Sequence, residues 1–334
     1  MTIKDIAREC GCAIGTVSRV LNGHPDVSDA TRAKVMEVVD KYGFVLNQNA
    51  KHLKEQQPNT IAIFVKGASS ILLNNMLEII QHKLEGLPYN VSVVVMDEYD
   101  DESKRAVRYY YEQTPIGMVF LGGNPERKKD EFSKIKIPVV LISTQAEEVD
   151  NELLSSVSTD DLCAAEYSTE YLIKMGHKKI GVIGGDLNGS EMSMRRYTGF
   201  IEALDNANIP FDFNKSYVTA KYSFEGGAEA AKKLIEKNPD ITAVFTMADV
   251  QAIGACRKLK EMGYSVPDDI SIIGFDGLPI AQYYCPSITT IKQTTDKLAQ
   301  TGIDILLDCV EHKAKSVHKL IPFEFINGES VKKI

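Results

Sequence analysis

Seven short apolar runs, separated by longer amphipathic stretches, occupy the chain from residue 58 onward, and this alternation constrains the fold more than any other feature. The runs are TIAIFV (60–65), NVSVVVM (90–96), GMVFL (117–121), PVVLI (138–142), KKIGVIGG (178–185), AVFTM (243–247) and SIIGFD (271–276). Runs this short, rich in Val and Ile, read as strands buried on both faces. Helical periodicity lies between them at 74–86, 103–114, 161–176, 191–208 and 225–238. Strand–helix alternation of this kind builds parallel sheets flanked by helices, and the segment is long enough for two of them. The expected class is α/β, with a body of two doubly wound parallel-sheet subdomains.

The first 45 residues follow a different pattern. Thr2 and Asp5 have the spacing of a capping box for a helix that begins at Ile3, and Ile3, Ile6 and Ala7 share one helical face. Gly11 breaks the chain. A second apolar set follows at Val17, Val20 and Leu21, and Asn22-Gly23 stops it. Ser28 caps a third helix, with Ala30, Val35, Val38 and Val39 as its apolar contacts up to Gly43. Two short helices around a tight Gly turn make a helix-turn-helix, an all-α head in which the second helix reads the DNA major groove. That helix turns Ile14, Gly15 and Arg19 outward and Val17 and Val20 inward. Arg19 suits guanine O6 and N7, while Thr16 and Ser18 suit phosphates. Helical spacing alone fits equally well three surface helices that bind nothing.

Bulk properties bound the function. The chain of 334 residues has a net charge of −8, with eight Lys/Arg against seven Asp/Glu in residues 1–57. A near-neutral head on an acidic body excludes a protein that coats nucleic acid along its whole surface, but not one with a basic reading face. The opening MTIKDIAREC carries charges where a secretion signal needs apolar residues, and no apolar run approaches the ~20 residues of a membrane span. The expected location is the cytoplasm. The six cysteines, at 10, 12, 163, 256, 285 and 309, form no C-x-x-C pair, and no histidine sits at zinc spacing from Cys10 or Cys12, so reduced thiols and no metal site are expected.

The run IKDIARECGCAIGTVSRVLNGHPDVSDATRAKVMEVVDKYGF, with Thr16–Asn22 and Val27–Arg32 as its most diagnostic parts, resembles the head of the lactose-repressor (LacI/GalR) family of bacterial regulators. The resemblance extends over essentially the whole chain. Two departures stand out in the head. Ala13 replaces the usual Ser at the start of the reading helix, at a cost of ~1 kcal/mol of capping. Phe44-Val45-Leu46-Asn47 replaces the family's Tyr-x-Pro-Asn. Residues 46–57 form a polar segment too short to be an isolated helix in water. By resemblance it is a hinge helix that orders in the minor groove, with Leu53 as the apolar wedge and Lys51 on the phosphates. Thr2 and Asn22 complete the DNA-contacting set.

For the body, residues 58–334, the resemblance implies a type I periplasmic sugar-binding fold. One subdomain is expected at 58–159 plus 289–319, the other at 160–288 plus 320–334. Ligands bind between such lobes at the carboxyl ends of strands. Arg196, in Arg196-Tyr197-x-Gly199-Phe200, matches the family's cleft arginine. Asp276, in Gly274-Phe275-Asp276, matches a ligand-accepting carboxylate, and Tyr222 a stacking aromatic. Ser69, Ser70, Ser143 and Asp249 complete the expected effector contacts. An ion pair or a core aromatic is the competing assignment for each of the larger groups.

Three strand ends depart from the family. Lys66-Gly67-Ala68-Ser69-Ser70-Ile71 replaces Ser-Asn-Pro-Phe, Ile142-Ser143-Thr144 replaces Ile-Asp-Arg, and Ala248 replaces an Asn before Asp249. An effector that is atypical, smaller or weakly bound is therefore expected. The Gly184-Gly185-Asp186-Leu187-Asn188-Gly189-Ser190 run lacks the order of a phosphate loop, so no nucleotide cofactor is expected.

These observations point to a homodimeric repressor of carbohydrate-use genes, binding a near-palindromic operator and controlled by a small sugar-like effector. Two other classes compete with it: a sugar-binding protein without a DNA role, which the head disfavours, and an enzyme, for which no nucleophile–base pair or cofactor fingerprint is present. A regulator controlled by a protein partner is the remaining alternative. The absence of a heptad tail after Lys333-Ile334 points to a dimer rather than a coiled-coil tetramer.

Overall fold

The computed structural model describes residues 3–21, 27–42, 59–67, 70–97, 100–124, 129–146, 149 and 151–334. The chain divides into two units, residues 1–57 and 58–334.

The first unit contains α1 (Ile3–Glu9), α2 (Ile14–Leu21) and α3 (Asp29–Tyr42). Gly11, with φ of 60°, makes the turn between the first two in a conformation that costs a β-carbon. Ile6, Ala7, Cys10, Val17, Val20, Val35 and Val39 form one small core. Ser28 caps α3 as expected, its hydroxyl accepting from the Thr31 N–H at 3.4 Å. Ala30, expected to pack, is exposed, and Val27 packs instead. Five residues before Val35, Ala30 lies ~140° round the helix from it. The expected cap at Thr2 and stop at Asn22 lie outside the described residues.

The second unit is built on two six-stranded sheets. The first contains β1 (Thr60–Lys66), β2 (Asn90–Met96), β3 (Gly117–Leu121), β4 (Val139–Ile142), β5 (Leu154–Thr159) and β11 (His318–Ile321), in the order β11-β5-β4-β3-β1-β2, all parallel. The second contains β6 (Ile180–Gly184), β7 (Tyr217–Thr219), β8 (Ala243–Thr246), β9 (Ser271–Asp276), β10 (Thr289–Lys292) and β12 (Glu324–Ile326), in the order β12-β10-β9-β8-β6-β7. Only β12 runs antiparallel to its neighbour. In each sheet the first strand has its successor on one side and a later strand on the other. Such a switch point opens a crevice at the carboxyl ends of the strands.

The helices of this unit are α4 (Ile71–Leu84), α5 (Glu102–Gln113), α6 (Lys129–Phe132), α7 (Asp161–Lys174), α8 (Glu191–Asn206), α9 (Phe213–Ser216), α10 (Phe224–Lys237), α11 (Asp249–Glu261), α12 (Pro279–Tyr283) and α13 (Thr295–His312). They cover both faces of each sheet. Along β1 the cover alternates with the strand's period of two. Ile61, Ile63 and Val65 join the core that includes Met76 of α4 and Leu298 of α13, whereas Ala62 and Phe64 join the opposite one. Phe64 stacks there on Phe120 with ring centroids 4.7 Å apart. Among the described residues, no helix is long and apolar enough to cross a membrane.

One expected boundary moves. Residues 289–292 were assigned to the first subdomain, but β10 pairs with β9 in the second sheet. The chain therefore returns to the first sheet at Gln293-Thr294, sends α13 against α4, lays down β11, and crosses back near Pro322. The three crossings are tied together. Thr159 Oγ1 donates to Gln293 Oε1 at 3.2 Å, and Thr294 Oγ1 donates to the Pro322 carbonyl at 3.2 Å.

Helices α7 and α8 lie in very close contact, and Gly199 is the reason. A β-carbon there would stand 2.1 Å from the Leu162 carbonyl oxygen, a backbone atom that cannot yield. Gly199→Ala should therefore lower the unfolding free energy of the body by about 1–3 kcal/mol, the usual cost of overpacking. Urea denaturation of the variant beside the wild type measures it, and an unchanged midpoint would contradict the packing described.

Candidate functional site

In the head, α2 presents the expected face. Ile14, Gly15 and Arg19 are exposed, Thr16 and Ser18 half-buried, and Val17 and Val20 buried against the other two helices. Of the remaining residues expected to contact DNA, Thr2, Asn22, Lys51 and Leu53 lie outside the described residues.

In the body, strand register sets up a second site. Val65 lies level with Leu121, and Leu121 with Ile142, so the residues just beyond β1, β3 and β4 emerge at one edge. The ends of β6, β8 and β9 face them across a cavity of about 170 Å³. That is below the ~300 Å³ at which drug-sized sites usually begin, so the ligand it suits is small. Its wall brings together Ser70, Ser143, Arg196, Tyr222 and Asp276 of the expected set.

Arg196 projects from α8 and is only 1% exposed. Its Nε donates to Asp161 Oδ1 at 2.7 Å, its Nη1 donates to the Met247 carbonyl, and its guanidinium carbon lies 3.7 Å from the centre of the Phe275 ring. Asp276 Oδ1 stands 4.0 Å from Nη1. Nη2 is buried and has no hydrogen-bond partner among the described residues. A buried donor left in that state is costly unless a ligand supplies the acceptor.

Asp276 holds φ at 117° and Ser143 at 67°, positions that disfavour a side chain and concentrate at binding sites. Gln293 Nε2 donates to Asp276 Oδ1 at 2.8 Å, leaving the other oxygen less engaged. Burial pushes the Asp276 carboxyl up to about 7, against the opposing pull of Arg196 and of the Gln293 bond. Burial likewise raises the Asp161 carboxyl, with Arg196 opposing it. The Tyr222 hydroxyl and Ser193 Oγ are hydrogen-bonded at 2.7 Å, and burial pushes the phenol up to about 12. Gly185 permits this pair, since a β-carbon there would meet Ser193 Oγ at 2.4 Å and the Tyr222 ring at 2.8 Å.

Asp249 departs from expectation. It is fully buried and does not reach the cavity wall. Its Oδ1 accepts from Thr290 Oγ1 at 2.6 Å and its Oδ2 from the Leu278 N–H at 2.7 Å. One oxygen thus holds the turn after β9 and the other holds β10, the strand paired with β9. Ser70 lines the cavity, but its hydroxyl also caps α4 by accepting from the Leu73 N–H at 3.3 Å. Ser69 lies outside the described residues.

Several cavity residues carried no expectation. Lys66 pairs with Glu102 at 2.5 Å, and the other Glu102 oxygen accepts from the Asn124 N–H at 2.6 Å. Asn124 and Thr144 line the first lobe, and Asp186, Gly189 and Ser190 the second. The Gly-rich run after β6 was therefore a wall of the cleft. The Gly122-Gly123-Asn124 turn after an apolar strand was a comparable signal.

The comparisons with known proteins agree with this architecture. Residues 2–47 match the model of bacterial regulatory proteins of the lacI family, and residues 169–331 match a periplasmic binding protein-like domain. The HTH-type transcriptional regulator MalR of Clostridium butyricum is 33% identical over 334 residues, 99% of both chains. The chain belongs to the lacI family. It is a DNA-binding transcriptional regulator and not an enzyme. Among solved structures, a lac repressor bound to ONPG in its repressed state superposes with a TM-score of 0.79 at 24% identity over 99% of both chains. A complex of the transcriptional regulator CelR with cellobiose superposes at 0.72, with 24% identity over 99% of both chains. At that identity the two structures establish the fold.

The raised Asp276 carboxyl has a sign that can be tested. The folded state holds this proton more tightly than the unfolded chain, whose carboxyl sits near 3.8. The resulting stabilisation is complete below that value and is lost as pH rises through about 7. Asp276→Asn should flatten the decline in unfolding free energy between about pH 5 and pH 8 relative to wild type, as followed by urea melts across that range. A decline of the same slope in both proteins would place the titration elsewhere.

Proposed function

We propose that this lacI-family regulator is a cytoplasmic homodimeric repressor of carbohydrate-use genes, released from or driven to its operator by a small sugar-like effector. Residues 1–45 act as the DNA-reading head, 46–57 as the hinge, and 58–334 as the effector-binding and dimerisation body. The observation that carries this reading is the buried Arg196 Nη2, a donor without a partner among the described residues, on a cavity between two lobes joined by three crossings. The cellobiose and ONPG complexes of its structural neighbours support a sugar-like ligand, as does a carboxylate beside a guanidinium fork, which suits neighbouring hydroxyls.

The mechanism follows from two-state coupling. A ligand that touches both lobes favours the arrangement in which they are close, by its differential affinity for that state. The Thr159–Gln293 bond links Asp276 to the crossings, so ligand contacts and lobe geometry share one hydrogen-bonded chain. Each head reads a half-site, with Arg19 of α2 on a base edge, Thr16 and Ser18 on the backbone, and Lys51 and Leu53 serving the hinge contact. A two-fold symmetric dimer then requires a near-palindromic operator.

Two variants separate reading from control. Arg19→Ala should weaken operator binding by about 1–3 kcal/mol and relax preference at one base pair per half-site. Asp276→Ala should leave effector-free operator binding near wild type while abolishing the effector response, because it lies in the body and touches no base. Fluorescence anisotropy of labelled operator, with and without the sugar that stabilises the wild type, reads both. An Asp276→Ala protein that answers the sugar at wild-type concentrations would falsify the cleft as the control site.

A further inference from the structure

Asn124 makes two polar connections, one from its backbone and one from its side chain, and leaves a third polar group unmet. Its N–H donates to Glu102 Oε1 at 2.6 Å, in a chain that continues to Lys66. Its Nδ2 crosses the cleft and donates to the Gly189 carbonyl of the opposite lobe at 3.0 Å. Its Oδ1 is buried without a hydrogen-bond partner among the described residues, and the residue lines the cavity. The first lobe thus presents one unmet acceptor, and the second lobe, at Arg196 Nη2, one unmet donor. A hydroxyl can satisfy either, since it both gives and accepts.

Charge narrows the ligand further. Among the described residues, the two cations on the cavity wall are already compensated. Lys66 lies against Glu102, and Arg196 lies against Asp161 with Asp276 close by. Asp186 adds another carboxylate to the wall. Among the described residues, a phosphate or carboxylate entering here would find no uncompensated cation on the wall, and a buried charge without a partner is strongly disfavoured.

We infer that Asn124 is a specificity-determining contact for an uncharged, polyhydroxylated effector of monosaccharide size, accepting a hydrogen bond from one hydroxyl while another accepts from Arg196 Nη2. The inference rests on the cleft being the effector site. Because the same carboxamide reaches Gly189, recognition at Asn124 occurs only when the lobes are close. The side chain therefore reports ligand identity and closure together.

The experiment uses the full-length protein and a set of neutral aldoses and ketoses, their 6-phosphates and the matching uronic acids, screened by thermal shift and then by calorimetry. A neutral sugar should bind the wild type, and its charged derivatives should bind at least about tenfold more weakly. Asn124→Ala should bind that sugar about five- to tenfold more weakly, the worth of one neutral hydrogen bond. Among the monodeoxy analogues of the sugar, one should lose that factor against the wild type and lose nothing further against Asn124→Ala. A merely structural role for Asn124 would weaken all analogues equally and would overturn the proposal. So would tighter binding of a phosphate or uronate, or no binding of any neutral sugar. Asp276→Asn keeps the two questions apart. Loss of sugar binding there, together with unchanged binding to Asn124→Ala, would sink the role of Asn124 and leave the cleft intact. Undiminished binding to Asp276→Asn would sink the cleft itself.

Discussion

The body of this protein is organised around a guanidinium that has been taken out of water. Arg196 is 1% exposed, and its charge is tolerable only because three elements converge on it. Helix α7 supplies Asp161, the end of β8 supplies the Met247 carbonyl, and β9 supplies the Phe275 ring and the Asp276 carboxylate. Removing one partner of such a buried pair typically costs about 3–5 kcal/mol, since the other charge stays behind. The tight approach of α7 to α8 at Gly199 brings Asp161 within reach. Asp249 in turn ties the turn after β9, through the Leu278 N–H, to β10, through the Thr290 hydroxyl, beside Asp276 with its unfavourable backbone conformation. The second lobe is thus a preorganised half-site whose strain is carried by its surroundings.

That half-site is wired to the crossings between lobes. Asp276 meets the Gln293 amide, Gln293 meets Thr159, and the neighbouring Thr294 meets Pro322, so all three crossings are tied in a few hydrogen bonds. A ligand that alters the charge or position of Asp276 also acts on the segments about which the lobes move. Coupling then needs no long relay through the sheets, only a difference in ligand affinity between the two arrangements.

Much of this was legible before any coordinates. Strands such as β1 and β3 announce themselves as unbroken apolar runs because both their faces are covered. β5 was invisible for the opposite reason. It reads LSSVST, and two of its three buried serines have distant partners: the Ser155 hydroxyl accepts from the Val317 N–H, and that of Ser156 bonds His318 Nδ1, whereas the Ser158 hydroxyl has none among the described residues. Those partners arrive from 162 residues later, beyond any local pattern. Arg196 and Asp276 were found through the motifs that surround them. Asp249 was expected at the ligand but lies off the cavity wall, because spacing shows which residue follows a strand, not which way its carboxylate turns. Lys66, Glu102 and Asn124 were passed over because their chemistry exists only once three strand ends lie side by side.

The two lobes contribute unequally, and that asymmetry bears on control. The charged residues nearest the ligand site are largely those of the second lobe, held in place by contacts that do not depend on closure. The first lobe offers Ser143, Thr144 and the Asn124 carboxamide, small polar groups at the tips of strands. A molecule that engaged only the second lobe would bind the open and closed arrangements alike and would shift nothing, however tightly it was held. Only contacts to the first lobe distinguish the two states. On the proposed effector role of the cleft, affinity would reside mainly with Arg196 and Asp276, and the capacity to act as an effector with the residues across the cleft. Two of them, Ser143 and Thr144, stand at a strand end where this chain departs from its family.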